Sequence, residues 1–154
     1  DRPDLYTAAE RLRGFHDALA RHGLRSDPAL VRHTLTRAAD AYETTRELLL
    51  GPEPPTAVFT SQNLITIDAV RALHDLGLQH RVALVGFDDV ALAGVVEPGL
   101  TVVAQDPAGL GRAAAELLFS RLDGLAAPSQ EIVLAPKLVG RGSGELPPVP
   151  APRS

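Results

Sequence analysis

From Thr56 to Asp106 the chain reads TAVFTSQNLITIDAVRALHDLGLQHRVALVGFDDVALAGVVEPGLTVVAQD. Two short apolar runs flank one amphipathic stretch, and polar residues cluster where each run ends. The pattern predicts strand, helix, strand. The run VALVG at 82–86 is apolar at almost every position, as expected of a strand covered on both faces. Alternation of this kind predicts an α/β fold with a mainly parallel sheet. Ligands of such sheets bind beyond the carboxyl ends of the strands. That singles out Ser61, Gln62 and Asn63 after the first run, and Asp88 and Asp89 after the second.

The rest of the chain continues the alternation. A first helix is expected over 6–22, with Ala8, Leu12, Phe15 and Leu19 on one stripe and Thr7 and Glu10 spaced as a capping box. Gly23-Leu24 should end it: glycine takes the left-handed conformation after a helix, and the next apolar residue packs back on the last turn. Gly77-Leu78 and Gly124-Leu125 repeat that ending. Residues 31–35 are a strand candidate. Residues 38–50 read as a helix, which Gly51-Pro52-Glu53-Pro54-Pro55 breaks. A buried strand is expected at 57–60 and a helix at 63–76, with Leu64, Ile67, Val70 and Leu73 on its apolar stripe. A helical turn is expected at 91–96 and a strand at 101–104. Pro107 opens a helix to Leu122, a position where its missing N–H is not needed. Short strands are expected at 132–134 and 137–139, and a disordered Pro-rich tail over 145–154.

Composition narrows the function. The chain has 154 residues, enough to bury a core, and a net charge of −4, which argues against a large phosphate-binding surface. It has no cysteine, so neither disulfides nor thiolate chemistry are available. No apolar run is long enough to span a membrane. The histidines at 16, 22, 33, 74 and 80 lack metal-ligand spacing. The Gly-x-Gly pairs match neither a dinucleotide fingerprint nor a P-loop, and there is no G-x-S-x-G elbow. Neither a metal nor a cofactor is expected, and no nucleophile, base and orienting group assemble into a catalytic set.

Each candidate residue has two readings. Asp88 can accept hydrogen bonds from ligand hydroxyls in a cleft. Asp89 can do the same, or cap the turn that follows, which is the reading favoured for it. Ser61, Gln62 and Asn63 can cap the next helix. Gln62 and Asn63 also offer a donor and an acceptor each to a hydroxyl-rich ligand. Arg11 and Arg13, in the second turn of the first helix, are on spacing alone solvated surface residues, although an arginine fork can hold neighbouring hydroxyls at two points.

Several segments, in order along the chain, resemble the lactose-repressor (LacI/GalR) family of bacterial transcription regulators. Glu10-Arg11-Leu12-Arg13-Gly14-Phe15 is similar to the family's R-x-x-G-[FW] helix. Pro55-Thr56-Ala57-Val58-Phe59 leads into the helix that opens near Asn63. Val85-Gly86-Phe87-Asp88-Asp89 is similar to the V-G-[FY]-D-[DN] strand end. Pro98-Gly99-Leu100-Thr101-Val102-Val103-Ala104-Gln105-Asp106 resembles the P-x-L-T-T-V-x-Q crossover, and Leu138-Val139-Gly140-Arg141-Gly142-Ser143 the closing L-V-x-R-x-S.

The resemblance implies a periplasmic-binding-protein-like fold, two α/β lobes around an effector cleft. It implies a cytoplasmic homodimer that binds a small-molecule effector, a carbohydrate, and meets operator DNA only through a separate N-terminal helix-turn-helix domain. It places effector contacts on Arg11, Asp88, Gln62, Asn63 and Thr36, and the inter-lobe hinge on Gln105. Residues 1–105 would be the C-terminal lobe, 106–130 a segment of the N-terminal lobe, 131–144 the return strands and 145–154 the tail. The first strand of the C-terminal lobe would lie just upstream of Asp1, so the chain should be a piece of a longer regulator, or be completed by strand exchange. There are departures. The family's N-D pair reads Gln62-Asn63, which removes a negative charge from the cleft. Thr36 stands near where an aromatic is often found. A periplasmic-type sugar-binding protein with no DNA role is the alternative; an enzyme using Asp88 and Asp89 as acid and base is a second.

Overall fold

A computed structural model describes residues 4–33, 38–124 and 126–148. In chain order the elements are α1 (Tyr6–Arg21), a 3-10 turn (Pro28–Leu30), α2 (Ala38–Leu50), β1 (Ala57–Thr60), α3 (Asn63–Asp75), β2 (Ala83–Phe87), β3 (Thr101–Ala104), α4 (Pro107–Leu122) and β4 (Lys137–Val139). The strands form one sheet in the order β1-β2-β3-β4. The first three are parallel, with Thr60 opposite Gly86 and Phe87 opposite Val103; β4 runs antiparallel to β3, with Val102 opposite Val139. The expected α/β class with a mainly parallel sheet is therefore observed.

The helix endings follow the glycine signal. Gly23 and Gly77 both sit at φ 68°. Leu24 N–H reaches back to Leu19 C=O at 2.9 Å, and Leu78 N–H to Leu73 C=O at 2.8 Å. These bonds satisfy last-turn carbonyls that the helix itself leaves open. Asp106 caps α4, accepting from Gly109 N–H at 2.8 Å, with Pro107 as the first helical residue.

The core lies between α3, α2 and one face of β2 and β3. Leu49, Ala69, Leu73, Val82, Leu84, Ala93, Leu100 and Val102 are buried together there. Ala41, Thr45 and Leu49 fall at spacings of four along α2 and form its buried stripe. The outer rim of that contact is polar: Tyr42 donates to Asp75 at 2.8 Å, and the Arg71 guanidinium lies 4.8 Å from the Tyr42 ring centre. Gly86 in β2 has no room for a side chain. A Cβ there would stand 2.7 Å from Thr66 Cγ2, and Thr66 is fully buried at the start of α3.

Several local expectations are corrected. Thr7 and Glu10 form no capping box: Leu5 occupies the N-cap position without a side-chain bond, and Glu10 pairs with Arg13 at 2.7 Å. Residues 31–33 form no strand; Thr34 to Arg37, Leu35 included, lie outside the described residues. The stripe assigned to α3 is displaced. Leu64 and Ile67 are exposed, while Ile65, Asp68, Ala69, Ala72 and Leu73 face inward, because α2 covers that side. Residues 132–134 make no strand, and Ile132, Val133 and Leu134 are exposed. β1 is not the buried strand expected, since Ala57 and Phe59 are exposed along the outer side of the sheet. Glu145, expected to begin a disordered tail, is anchored: its carboxylate accepts from the Thr101 hydroxyl at 2.8 Å and from Gly142 N–H at 2.9 Å. Residues 149–154 lie outside the described residues.

Beside β1 there is an open groove of about 580 Å³, bounded by α1, the 30–33 segment and α2. Ala8, Leu12, Val31, Leu48 and Phe59 give it an apolar lining. α1 spans it through Phe15, whose ring stacks on Phe59 at 6.2 Å between centroids.

Candidate functional site

Three parallel strands end on the same side of the sheet, and each delivers polar groups there. β1 ends at Thr60 and is followed by Ser61 and Gln62, the N-cap of α3. Its end is tied down by side chains: the Thr60 and Thr66 hydroxyls are 2.7 Å apart, and Thr66 donates to the Gln62 carbonyl at 2.9 Å. β2 ends at Phe87, followed by Asp88. β3 ends at Ala104, followed by Gln105.

Asp88 has φ 72°, and among the described residues no other non-glycine residue has a positive φ. The left-handed region is unfavourable for a residue with a Cβ, though aspartate tolerates it better than most. Asp88 N–H remains at the end of the sheet, donating to Val103 C=O at 3.0 Å. There its carboxylate accepts a hydrogen bond from the Gln105 amide.

Arg11 reaches the same place from α1. Its guanidinium lies 4.8 Å from the centre of the Phe87 ring. Burial pushes its pKa down, and the negative charge of Asp88 acts in the opposite sense. Asp88 thus stands between Arg11, expected as an effector contact like itself, and Gln105, expected at the hinge. Arg13 is not part of the group. It is exposed and pairs with Glu10 and Asp17 on the outer face of α1.

Gln62 and Asn63 lie at the neighbouring strand end, but neither side chain hydrogen-bonds to Asp88 or Gln105 among the described residues. Gln62 makes no side-chain cap bond, and Asn63 folds back onto its own helix start, accepting from Leu64 N–H at 2.8 Å. Thr36 lies outside the described residues.

Asp89 points elsewhere. It accepts from the adjacent Val90 N–H at 2.9 Å, and its two oxygens take both ends of the Arg141 fork at 2.9 and 2.7 Å. The Arg141 hydrogen bonds hold its carboxyl below the usual range, against the opposing effect of burial. Asp89 is thus held by Arg141 at the start of its turn, a partner that linear spacing could not have indicated. The two aspartates do not form an acid/base pair.

Chemically, the strand ends present a carboxylate, a guanidinium and an amide to one region. That set offers an acceptor and several donors to a neutral, hydroxyl-rich molecule. Among the described residues no helix is long and apolar enough to cross a membrane, and no group of three or more His, Asp or Glu is placed to hold a metal ion.

Residues 1–144 match the family model described as periplasmic binding protein-like domain. The HTH-type transcriptional regulator CelR of Thermobifida fusca is 34% identical over 92% of the chain and 42% of that protein. The HTH-type transcriptional repressor PurR of Pasteurella multocida is 30% identical over 89% of the chain and 42% of that protein. Among solved structures, the CelR–cellobiose complex superposes with a TM-score of 0.78 at 34% identity, over 88% of this chain and 42% of that one. The lac repressor dimer bound to operator and the anti-inducer ONPF gives 0.77 at 27% identity, over 90% and 42%. The chain thus spans well under half the length of these relatives. With its sheet order, its strand-end site and a family match over nearly its whole length, the chain belongs to the periplasmic binding protein-like domain family, in the form found in LacI-family regulators.

Proposed function

We propose that this chain supplies the C-terminal lobe, and the crossover from it, of the effector-binding domain of a LacI-type repressor. It binds a small polar ligand, a sugar, at the carboxyl ends of β1, β2 and β3. Binding alters how a helix-turn-helix domain outside this chain meets operator DNA. The observation that carries the reading is the convergence of Arg11, Asp88 and Gln105 from three separate elements onto one sheet edge. Gln62 and Asn63 border that region, and Thr36 is assigned to it by resemblance.

Three further features support a partial, hinged and dimeric domain. β1 ends the sheet with an open groove beside it, as expected if a strand from elsewhere in the protein completes the lobe. α4 buries none of its residues, as expected of a helix whose packing partners belong to another lobe. The exposed pair Leu64 and Ile67, one turn apart on α3, offers an apolar contact to a second copy. A repressor needs different effector affinity in its two states for the ligand to move the equilibrium.

The test is a thermal-shift screen of the full-length protein with mono- and disaccharides, followed by operator binding with and without each hit. A sugar that raises the melting temperature and changes operator affinity supports the reading. No shift with any sugar, together with operator binding indifferent to all of them, removes the carbohydrate assignment.

A further inference from the structure

We infer that Arg141 is a positioning residue for the effector site: by clamping Asp89 it holds Asp88 in the left-handed conformation that turns its carboxylate toward Arg11 and Gln105. The inference rests on the proposal that Asp88 contacts the effector.

The problem to be solved is the backbone of Asp88. A residue with a side chain stays at φ 72° only where its surroundings over-determine the conformation. On the N-terminal side, β2 and the bond from Asp88 N–H to Val103 C=O provide that constraint. On the C-terminal side the chain leaves the sheet, and among the described residues it has no strand partner. Asp89 supplies the second anchor. Both its oxygens are gripped by Arg141, and one also accepts from Val90 N–H.

Arg141 is itself well placed to act as an anchor. Its Nη1 also donates to Leu100 C=O at 3.1 Å, and its backbone N–H donates to the Thr101 hydroxyl at 3.0 Å. That hydroxyl in turn donates to Glu145 at 2.8 Å. Two residues on, the Ser143 hydroxyl accepts from Thr101 N–H at 2.9 Å and donates to Leu84 C=O at 2.6 Å. The segment that carries Arg141 is therefore fastened to β2 and β3 at several points. An exposed ion pair stabilises a fold little. A two-point arginine–carboxylate contact does, however, fix geometry, and here the fixed residue directly follows the proposed ligand anchor.

The experiment uses the full-length protein with Arg141→Gln, Arg141→Lys, Asp89→Asn and Asp88→Ala, and the double variant Asp88→Ala/Arg141→Gln. Crystal structures of the effector-binding domain of the Arg141 and Asp89 single variants read the Asp88 conformation directly, with no ligand needed. In Arg141→Gln and Asp89→Asn, Asp88 is expected to leave the positive-φ region and lose its Gln105 contact, while Arg141→Lys retains part of both. Asp89→Asn changes no volume and serves if Arg141→Gln does not fold. Calorimetric titration with cellobiose gives the second readout. The two charge-removing variants should bind roughly tenfold more weakly, the effect of about one hydrogen bond. The double variant should bind no more weakly than Asp88→Ala alone, a non-additivity that a general loss of stability would not produce. Unchanged Asp88 φ in Arg141→Gln and Asp89→Asn overturns the inference, whether or not cellobiose binds. Cellobiose binding undiminished by Asp88→Ala would instead overturn the assignment of Asp88 as a ligand contact, and the φ readout would still decide the role of Arg141.

Discussion

The Arg11 guanidinium lies over the Phe87 ring, 4.8 Å from its centre, and this contact joins α1 to the end of β2. It places a cation near enough to Asp88 for the carboxylate charge to act on it. Burial and the aromatic face keep the guanidinium from swinging into solvent, so its fork stays at the strand ends.

Arg11→Ala and Asp88→Ala should each weaken effector binding by roughly 1.5–3 kcal/mol, the range for hydrogen bonds to charged groups. Isothermal titration of the full-length protein with the sugar found by thermal shift is the measurement. Full affinity in both variants would remove these residues from the site.

Acid should loosen the region around Arg141. Asp89 and Glu145 both have depressed pKa values, Asp89 chiefly through its hydrogen bond with Arg141 and Glu145 chiefly through the Thr101 hydroxyl. A depressed carboxyl stabilises the fold above its unfolded value, about 4, and that contribution is lost as pH falls through the lower folded value. Circular dichroism melts of the full-length protein between neutral pH and strong acid should show the loss below about pH 4. Asp89→Asn should flatten the slope; an identical slope in wild type and variant would dismiss this pair as a source of acid sensitivity.

Asp68 should act in the opposite direction. It is 7% exposed on α3, one of its oxygens has no hydrogen-bond partner, and burial raises its pKa against the pull of Arg71. A raised carboxyl favours the fold below its unfolded pKa, and this is lost as pH rises through the folded value. Asp68→Asn removes the buried charge and should therefore melt higher than wild type at neutral pH, with the gap closing in acid. A lower melting temperature for the variant at neutral pH would show that the ionised carboxylate is better accommodated than its unpartnered oxygen suggests.

Gly86→Ala should cost about 1–3 kcal/mol, the range for overpacking a filled core. The new Cβ would meet the Thr66 side chain at 2.7 and 2.9 Å, and Thr66 is held by its bonds to Thr60 and Gln62. Thr66→Ser deletes the nearer of the two atoms, so the double variant should recover part of the loss in urea unfolding. A Gly86→Ala protein as stable as wild type would mean that α3 can shift off the sheet freely.

Much of the fold could be read along the chain. α2, α4, β1 and β3 fall where breakers, proline and apolar runs placed them, and α1 and α3 end at Gly23 and Gly77 as the glycine-leucine pairs implied. These signals act within one or two turns of chain, so they need no tertiary partner. Of the proposed site, the residue types at the strand ends were legible: Asp88 lies near Arg11 and bonds to Gln105. Gln62 and Asn63 lie at the end of β1, and among the described residues their side chains do not hydrogen-bond to that group.

What the sequence alone determined is the order and type of most elements, and the polar residues that a parallel sheet must present at its carboxyl edge. Tertiary structure decided which faces were buried and which charges met. α2 turned Ile65 and Ala69 inward and left Leu64 and Ile67 outside. Glu10, spaced for a cap, took Arg13 instead, because Leu5 held the N-cap position. Asp89 found Arg141 across the sheet. Periodicity is local, whereas burial and charge pairing depend on distances between residues far apart in the chain, and only the assembled sheet sets those distances.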